Sequence, residues 1–392
     1  MRIVFASSLI PTLPTDSGFE IANRAIVEGL LRAGHDVQLI GFALPDRELL
    51  LPTQSHSLGT LDVKTANAGT KQKLTWLLQA VRNNTTFAAA KLDLVTGAEL
   101  TAKIEALAPF DVLVINGAPM AGAFFDVLAR YPHVYVAHNQ EAVAARQASE
   151  ASASLVEKLM YRREAMQLEK LETAMAQAAA GVATFTKEDR DALFGMHANA
   201  KVLPLVTPEM TEKKGGLRPI GFDAGMVGTW TWTQNRIGLE WFLQQVMPLM
   251  PKHTQIAIAG SLPPDFPQRD KRVKFLGRVL DAKSFIRSCR VSILCARAGT
   301  GIQLKTLETM EMGLPAVATS SSLRGIPKPL PEQLVEANDP QAFADALKKM
   351  IVEVRTGRLK DGDGASFRQA QLAQMDRAIA DLLAPFTKSA GS

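Results

Sequence analysis

The chain has 392 residues, 47% of them hydrophobic and 21% charged, with 44 Lys plus Arg against 39 Asp plus Glu for a formal net charge of +5. That balance belongs to a globular chain of about two or three domains. With 6% aromatic residues and no basic run longer than a pair, the excess charge argues against a nucleic-acid interface, while a weak attraction to anionic membrane surfaces stays open. The two cysteines, Cys289 and Cys295, make neither a disulfide framework nor a zinc site and read as reduced core residues. The apolar start at residues 1–6 runs into Ser7 and Ser8 too early for a signal peptide, and no apolar stretch reaches the ~20 residues of a membrane span. The expected location is the cytoplasm, with peripheral contact at the inner face of the membrane as the open alternative.

Short β-type runs alternate with helical patterns throughout. Residues 3–6 form a strand. Ser17 and Glu20 then make a capping box for a helix whose buried face carries Ala22, Ala25, Ile26, Leu30 and Ala33, closed by Gly34. A strand follows at 36–42. Residues 54–69 lack periodicity and read as surface loop. The basic, amphipathic stretch 71–82 reads as a surface helix packed on its own domain, with a membrane interface as the rival reading. Strands at 111–116 and 133–137, a long helix over 152–180 ended by Gly181, a strand at 182–185 and a short helix opened by Thr186 and Asp189 complete the first half.

The polar, Gly-rich residues 211–219 mark a domain boundary. Beyond it, strands at 225–227, 255–259, 273–276, 291–295 and 316–318 alternate with helices at 235–250, 281–289 and 303–312. A last amphipathic helix at 367–383 is reached through a loose linker, 360–364. The pattern predicts an α/β fold of two facing, doubly wound Rossmann-like domains, residues 1–208 and 209–365, with a C-terminal helix in 366–392 crossing back to the first.

The segment 294–325 carries the clearest chemistry. A buried strand delivers Arg297-Ala298-Gly299-Thr300-Gly301-Ile302 to the start of a helix reading Leu304-Lys305-Thr306-Leu307-Glu308. Free backbone N–H groups and the positive end of the helix favour a phosphate there, and glycine lets it approach closely. Arg297 and Lys305 add fixed positive charge, and Glu308, one turn after Lys305, is placed to accept hydrogen bonds from sugar hydroxyls. Asp361-Gly362-Asp363 mimics a metal-binding Asp-x-Asp but reads as solvated loop. The Walker-type loop, the Gly-x-Ser-x-Gly elbow and His-Glu-x-x-His are absent, which removes support for kinase and hydrolase classes.

This segment, continuing to Met312-Gly313-Leu314-Pro315, resembles the donor-site signature of bacterial family 4-like retaining glycosyltransferases (GT-B fold). Residues 227–235, Val-Gly-Thr-Trp-Thr-Trp-Thr-Gln-Asn, resemble the opening of that family's second domain, and His138-Asn139-Gln140-Glu141 its His-Asn-x-Glu motif. The resemblance implies transfer of a sugar, with retention, from a nucleotide diphosphate sugar to a hydroxyl acceptor on a saccharide, glycan or lipid-linked saccharide. It implies Glu308 on the ribose; Gly228, Thr229, Gly299, Thr300, Gly301, Ile302, Arg297 and Lys305 around the diphosphate; and, in the first domain, His138 on the acceptor side with the Gly18 loop, which faces both the acceptor and the donor phosphates. His138 and Glu308 are its candidate catalytic residues; without the resemblance, His138 reads as an interior histidine. No metal is implied and no cofactor beyond the donor substrate. Two departures stand out. Thr300 replaces the first of two glutamates that many members carry, and Thr229 and Gln234 stand where many place Arg and Lys, so Arg297 and Lys305 take over phosphate neutralisation. Trp230 and Trp232 read equally as stacking platforms or as hinge packing. Rival readings are a nucleotide-sugar epimerase on the same fold, which lacks a clear acid and base set; a Rossmann oxidoreductase, which lacks the third glycine; and a non-catalytic relative, suggested by Thr300.

Overall fold

The computed structural model describes residues 1–387 except 16, 63–67, 153, 210–219, 264–265 and 268–269. The chain divides into two compact units, Met1–Leu205 with Gln371–Ser392, and Val206–Ala370. Residues 211–219, expected to mark the boundary, lie outside the described residues.

In the first unit β1 (Arg2–Leu9), β2 (Thr12–Leu13), α1 (Gly18–Arg32), β3 (Asp36–Ala43), β4 (Glu48–Leu49) and β5 (Ser55–Thr60) come first. They are followed by α2 (Thr70–Arg82), α3 (Phe87–Ala90), α4 (Gly97–Glu105), β6 (Val112–Asn116), α5 (Ala118–Leu128) and β7 (His133–Ala137). Then come α6 (Glu141–Ala151), α7 (Leu155–Ala178), β8 (Gly181–Thr184), α8 (Lys187–Phe194) and β9 (Ala200–Val202). Seven strands form a parallel sheet in the order β5-β3-β1-β6-β7-β8-β9, while β2 and β4 make a separate antiparallel pair. The apolar runs of β1, β3 and β6 have both faces covered, as a sheet flanked by crossover helices requires. Ser17 caps α1, its hydroxyl accepting the Glu20 N–H and donating to the Glu20 carboxylate.

Three expectations change here. Residues 55–60 are not loop but the edge strand β5; only Leu58 of the strand is buried, so its polar sequence hides it. The long helix starts at Leu155, with α6 a separate helix before it. Gly181 does not end α7; Ala179 caps it, and Gly181 opens β8.

The second unit contains β10 (Phe222–Val227), α9 (Thr233–Trp241), β11 (Ile256–Ala259), β12 (Val273–Gly277), α10 (Ala282–Arg287), β13 (Cys289–Leu294), α11 (Leu304–Glu311), β14 (Ala316–Ala318), β15 (Leu334–Glu336) and α12 (Pro340–Arg355). Its six strands run parallel in the order β12-β11-β10-β13-β14-β15. The helix expected over 235–250 is α9 followed by a π turn and a 3-10 turn that begins at Met247 and contains Pro248, whose ring carries no N–H to continue an α-helix.

The stretch 360–364 is not loose. Gly362 N–H donates to the Gly313 carbonyl at 2.7 Å, and a Cβ on Gly313 would meet the Gly362 carbonyl, so two backbones touch where only glycine fits. Asp363 is exposed, as expected of a solvated loop, and there it also caps the start of α13 (Gly364–Thr387), accepting from the Ser366 N–H and hydroxyl. From Gln371 onward α13 belongs to the first unit, where Asp376 pairs with Arg32 at 2.6 Å and Met375 and Ile379 lie against Gly29.

The two ends of the second unit are joined. The Thr207 N–H and hydroxyl donate to the Glu311 carboxylate at 2.9 and 2.5 Å, and Arg368 donates to both the Thr207 carbonyl and Glu311.

Gly260, just after β11, has φ +116°, and a Cβ there would sit 1.7 Å from the Gly228 carbonyl oxygen. Gly260→Ala is expected to cost about 3 kcal/mol or more, seen as a lowered urea midpoint. An unchanged midpoint would show that β10 and β11 need no such close approach.

Candidate functional site

In both sheets the strand order reverses once, between β1 and β6 and between β10 and β13. Crossover helices leave in opposite directions at such a point, and a crevice opens beyond the carboxyl ends of the two strands. In the first unit Ser7 and Asn116 lie at these ends, and in the second Gly228 and the 295–302 segment, which the sequence singled out, follow them.

In the second unit, Gly299 and Gly301 have φ of +105° and +76°, left-handed conformations that explain the Gly-x-Gly spacing. Gln303 gives α11 no side-chain cap. The Lys305 ammonium reaches from α11 toward the loop after β10. It donates to Asn235 Oδ1 at 3.2 Å, lies 3.2 Å from the place a Gly228 Cβ would take, and sits 5.3 Å from the centre of the Trp230 ring. Burial pulls its pKa down. The structure thus brings Lys305, Gly228 and the 229–235 loop together. Thr229 accepts from the Asn235 amide through its carbonyl, while Thr300 and Ile302 lie half-buried in the loop before α11.

The Arg297 guanidinium lies 4.8 Å from the centre of the Trp241 ring and donates to the Asn338 carbonyl at 2.8 Å. A second arginine, Arg324, reaches Gly299 O at 3.5 Å. It stands at the end of the segment that drew notice in the sequence, and only the sheet order reveals that it returns to the loop. Trp230 is packing rather than a free platform, 3% exposed with its indole N–H on Ala259 O, whereas Trp232 is 52% exposed.

Depressions on two sides meet at Lys305, one walled by Trp230, Asn235 and Gln303, the other by Lys283 and Glu308. Burial raises the Glu308 pKa to about 7, opposed by Lys283 and reinforced by Glu311. Lys283, not anticipated from the sequence, donates to Thr207 Oγ1 at 2.7 Å and to the Pro208 carbonyl.

In the first unit Gly18 opens α1, and the next residue, Phe19, stacks on the His138 ring at 4.8 Å, so the Gly18 loop and His138 are neighbours. Phe185 meets the same ring edge-on. His138 Nε2 lies 2.9 Å from Asn116 Oδ1, while the Asn116 amide donates to Asn23 Oδ1 at 2.6 Å. That leaves Asn116 Oδ1 as acceptor, puts the proton of the neutral ring on Nε2, and leaves a lone pair on Nδ1. Burial lowers the His138 pKa to about 3, so at neutral pH the ring is uncharged. Nearby, Glu141 and Glu172 are both pushed up to about 7, first by burial.

Residues 221–353 match the family described as glycosyl transferases group 1. No curated protein sequence matches the chain. Among solved structures, sucrose-phosphate synthase from Thermosynechococcus elongatus is 15% identical with a TM-score of 0.65, covering 98% of this chain and 99% of that one. Anabaena HepE in complex with UDP and glucose is 13% identical with a TM-score of 0.58, covering 98% and 100%. The catalytic domain of starch synthase IV from Arabidopsis thaliana, bound to ADP and acarbose, is 11% identical with a TM-score of 0.55, covering 99% and 97%. The segment 221–353 therefore matches glycosyl transferases group 1, and the chain has the GT-B fold.

Proposed function

We propose that the chain transfers a glycosyl group, with retention, from a nucleoside diphosphate sugar to a hydroxyl acceptor on a saccharide, glycan or lipid-linked saccharide. The second unit holds the donor. The diphosphate sits on the 299–302 backbone and the N-terminus of α11, with Lys305 and Arg297 neutralising it without a metal ion, and Glu308 accepts from the ribose hydroxyls. Charge develops on the leaving diphosphate as the glycosidic bond breaks, and preorganised cations and N–H groups stabilise it there. The first unit holds the acceptor, with neutral His138 offering Nδ1 to a hydroxyl of the acceptor or of the donor sugar.

The observation that carries this reading is the Lys305 ammonium beside Gly228 and Asn235. It brings a cation from α11 to the loop where many relatives keep their Arg and Lys. The nucleoside diphosphates in the HepE and starch synthase structures, which share the fold, lend support.

The test is a thermal-shift and calorimetric screen of UDP, ADP, GDP and TDP, followed by slow hydrolysis of the matching nucleotide sugar. At least one diphosphate is expected to raise the melting temperature, and failure of all of them would overturn the reading. Lys305→Ala should weaken the bound diphosphate roughly tenfold to a hundredfold, while leaving the melting temperature of the free protein near its original value.

Glu308 supplies a pH signature. Its folded pKa is raised to about 7 from an ordinary carboxylate value, so its effect on stability is favourable at low pH and is lost as pH rises through 7. Glu308→Gln should therefore raise the melting temperature at pH 8 by roughly 2–4 °C and leave it nearly unchanged near pH 4, below the ordinary carboxylate value of 4.5. The carboxylate that accepts from ribose forms over the same range. Wild-type affinity for the diphosphate should accordingly rise from pH 6 to pH 8 relative to Glu308→Gln, and parallel profiles would remove Glu308 from the ribose.

A further inference from the structure

Exposed large apolar side chains are concentrated on two helices of the first unit. On α2, Leu74, Leu78 and Val81 are exposed and recur at the spacing of one helix face, while Trp76 and Ala80 face inward. On α7, Leu155, Leu159 and Met166 form a second exposed stripe. The two helices meet at the C-terminal end of α2. Arg163 of α7 donates to the carbonyls of Ala80 and Thr85, and Gln167 to Asn84, which ties the C-terminal end of α2 beside the α7 stripe.

Charge follows the same face. α2 contains Lys71, Lys73 and Arg82 and no Asp or Glu; by helical spacing Lys71 and Arg82 border the apolar stripe on one side and Lys73 on the other. On α7, Arg162 lies within the stripe and Lys170 beside it, while Glu169 is taken up by Arg146 at 2.6 Å. Lys71, Lys73, Arg162 and Lys170 have no ion-pair partner among the described residues.

We propose that this joint face of α2 and α7 docks the chain onto an anionic lipid surface, with the leucines entering the headgroup boundary and the cations meeting lipid phosphates. A rim of cations around an apolar stripe is the arrangement that binds such a surface, and of this rim only Arg82 has an ion-pair partner among the described residues, Asp93 at 3.8 Å. A second copy of the chain fits less well. Symmetric pairing would set the cations of one α2 against those of the other, with no carboxylate on that helix to receive them. No helix among the described residues is long and apolar enough to cross a membrane, so attachment through this face is peripheral.

The test is sedimentation of the full chain with phosphatidylcholine vesicles, with and without phosphatidylglycerol; it needs no nucleotide and is independent of sugar transfer. The chain should pellet with the anionic vesicles, release at high salt, and stay in solution with the neutral ones. Leu78 and Leu159 are 62% and 65% exposed, so the double variant Leu78→Glu/Leu159→Glu should keep its melting temperature. Its partition into anionic vesicles should fall about tenfold or more, and Lys71→Glu/Lys73→Glu should do the same. Equal sedimentation with both vesicle types, or wild-type binding by either variant, would overturn the proposal. So would a concentration-dependent dimer abolished by the leucine substitutions, which would assign the face to a second copy.

Discussion

Every strand of the two large sheets runs parallel to its neighbours, and this constraint places the rest. A parallel sheet needs its connections to cross over its faces, so all the strand ends that lead into functional loops gather along one edge. Where the strand order reverses, those loops part. In the second unit the parting brings the end of β10, at Val227-Gly228, beside the end of β13, and residues 70 apart in sequence, Asn235 and Lys305, come within hydrogen-bonding distance. In the first unit it sets Ser7, Asn23 and Asn116 into one network that orients His138.

Lys305 and Glu308 are held in an environment that suits neither of their charges. Burial lowers the pKa of Lys305 and raises that of Glu308, so both are less firmly ionised than in water. A bound diphosphate would change that balance for Lys305 by offering two negative charges where the protein offers an amide and an aromatic face. Sites of this kind store part of their binding energy as unfavourable solvation of the empty form. The first unit works in the opposite sense: His138 is kept neutral and its tautomer is set by an amide, which gives directional hydrogen bonding without charge.

Much of this was legible in the sequence. Buried strands announce themselves as apolar runs, and the Gly299-Thr300-Gly301 loop before a helix marks a place where backbone must turn and an anion can approach. What escaped were elements whose signal is weak or whose meaning is long-range. β5 is an edge strand with a mostly polar sequence. β15 has only three residues. α12 was legible in principle, since Asp339 caps it and Pro340 opens it, the arrangement that ordinarily begins a helix. The return of Arg324 to Gly299, the packing of Arg297 on Trp241 and the approach of Lys283 to Thr207 depend on which strands lie side by side, and no local pattern encodes that.

The junction at Glu311 has a topological consequence. Thr207 and Arg368 stand at the two ends of the second unit, and one carboxylate holds both. The chain therefore leaves the first unit and returns to it through a single gateway, and the second unit is an insertion whose ends already meet. A segment of this kind forms a closed cassette. Its neighbouring termini make it a natural piece to excise, to exchange between related chains, or to rejoin as a circular permutant with its own sheet order intact.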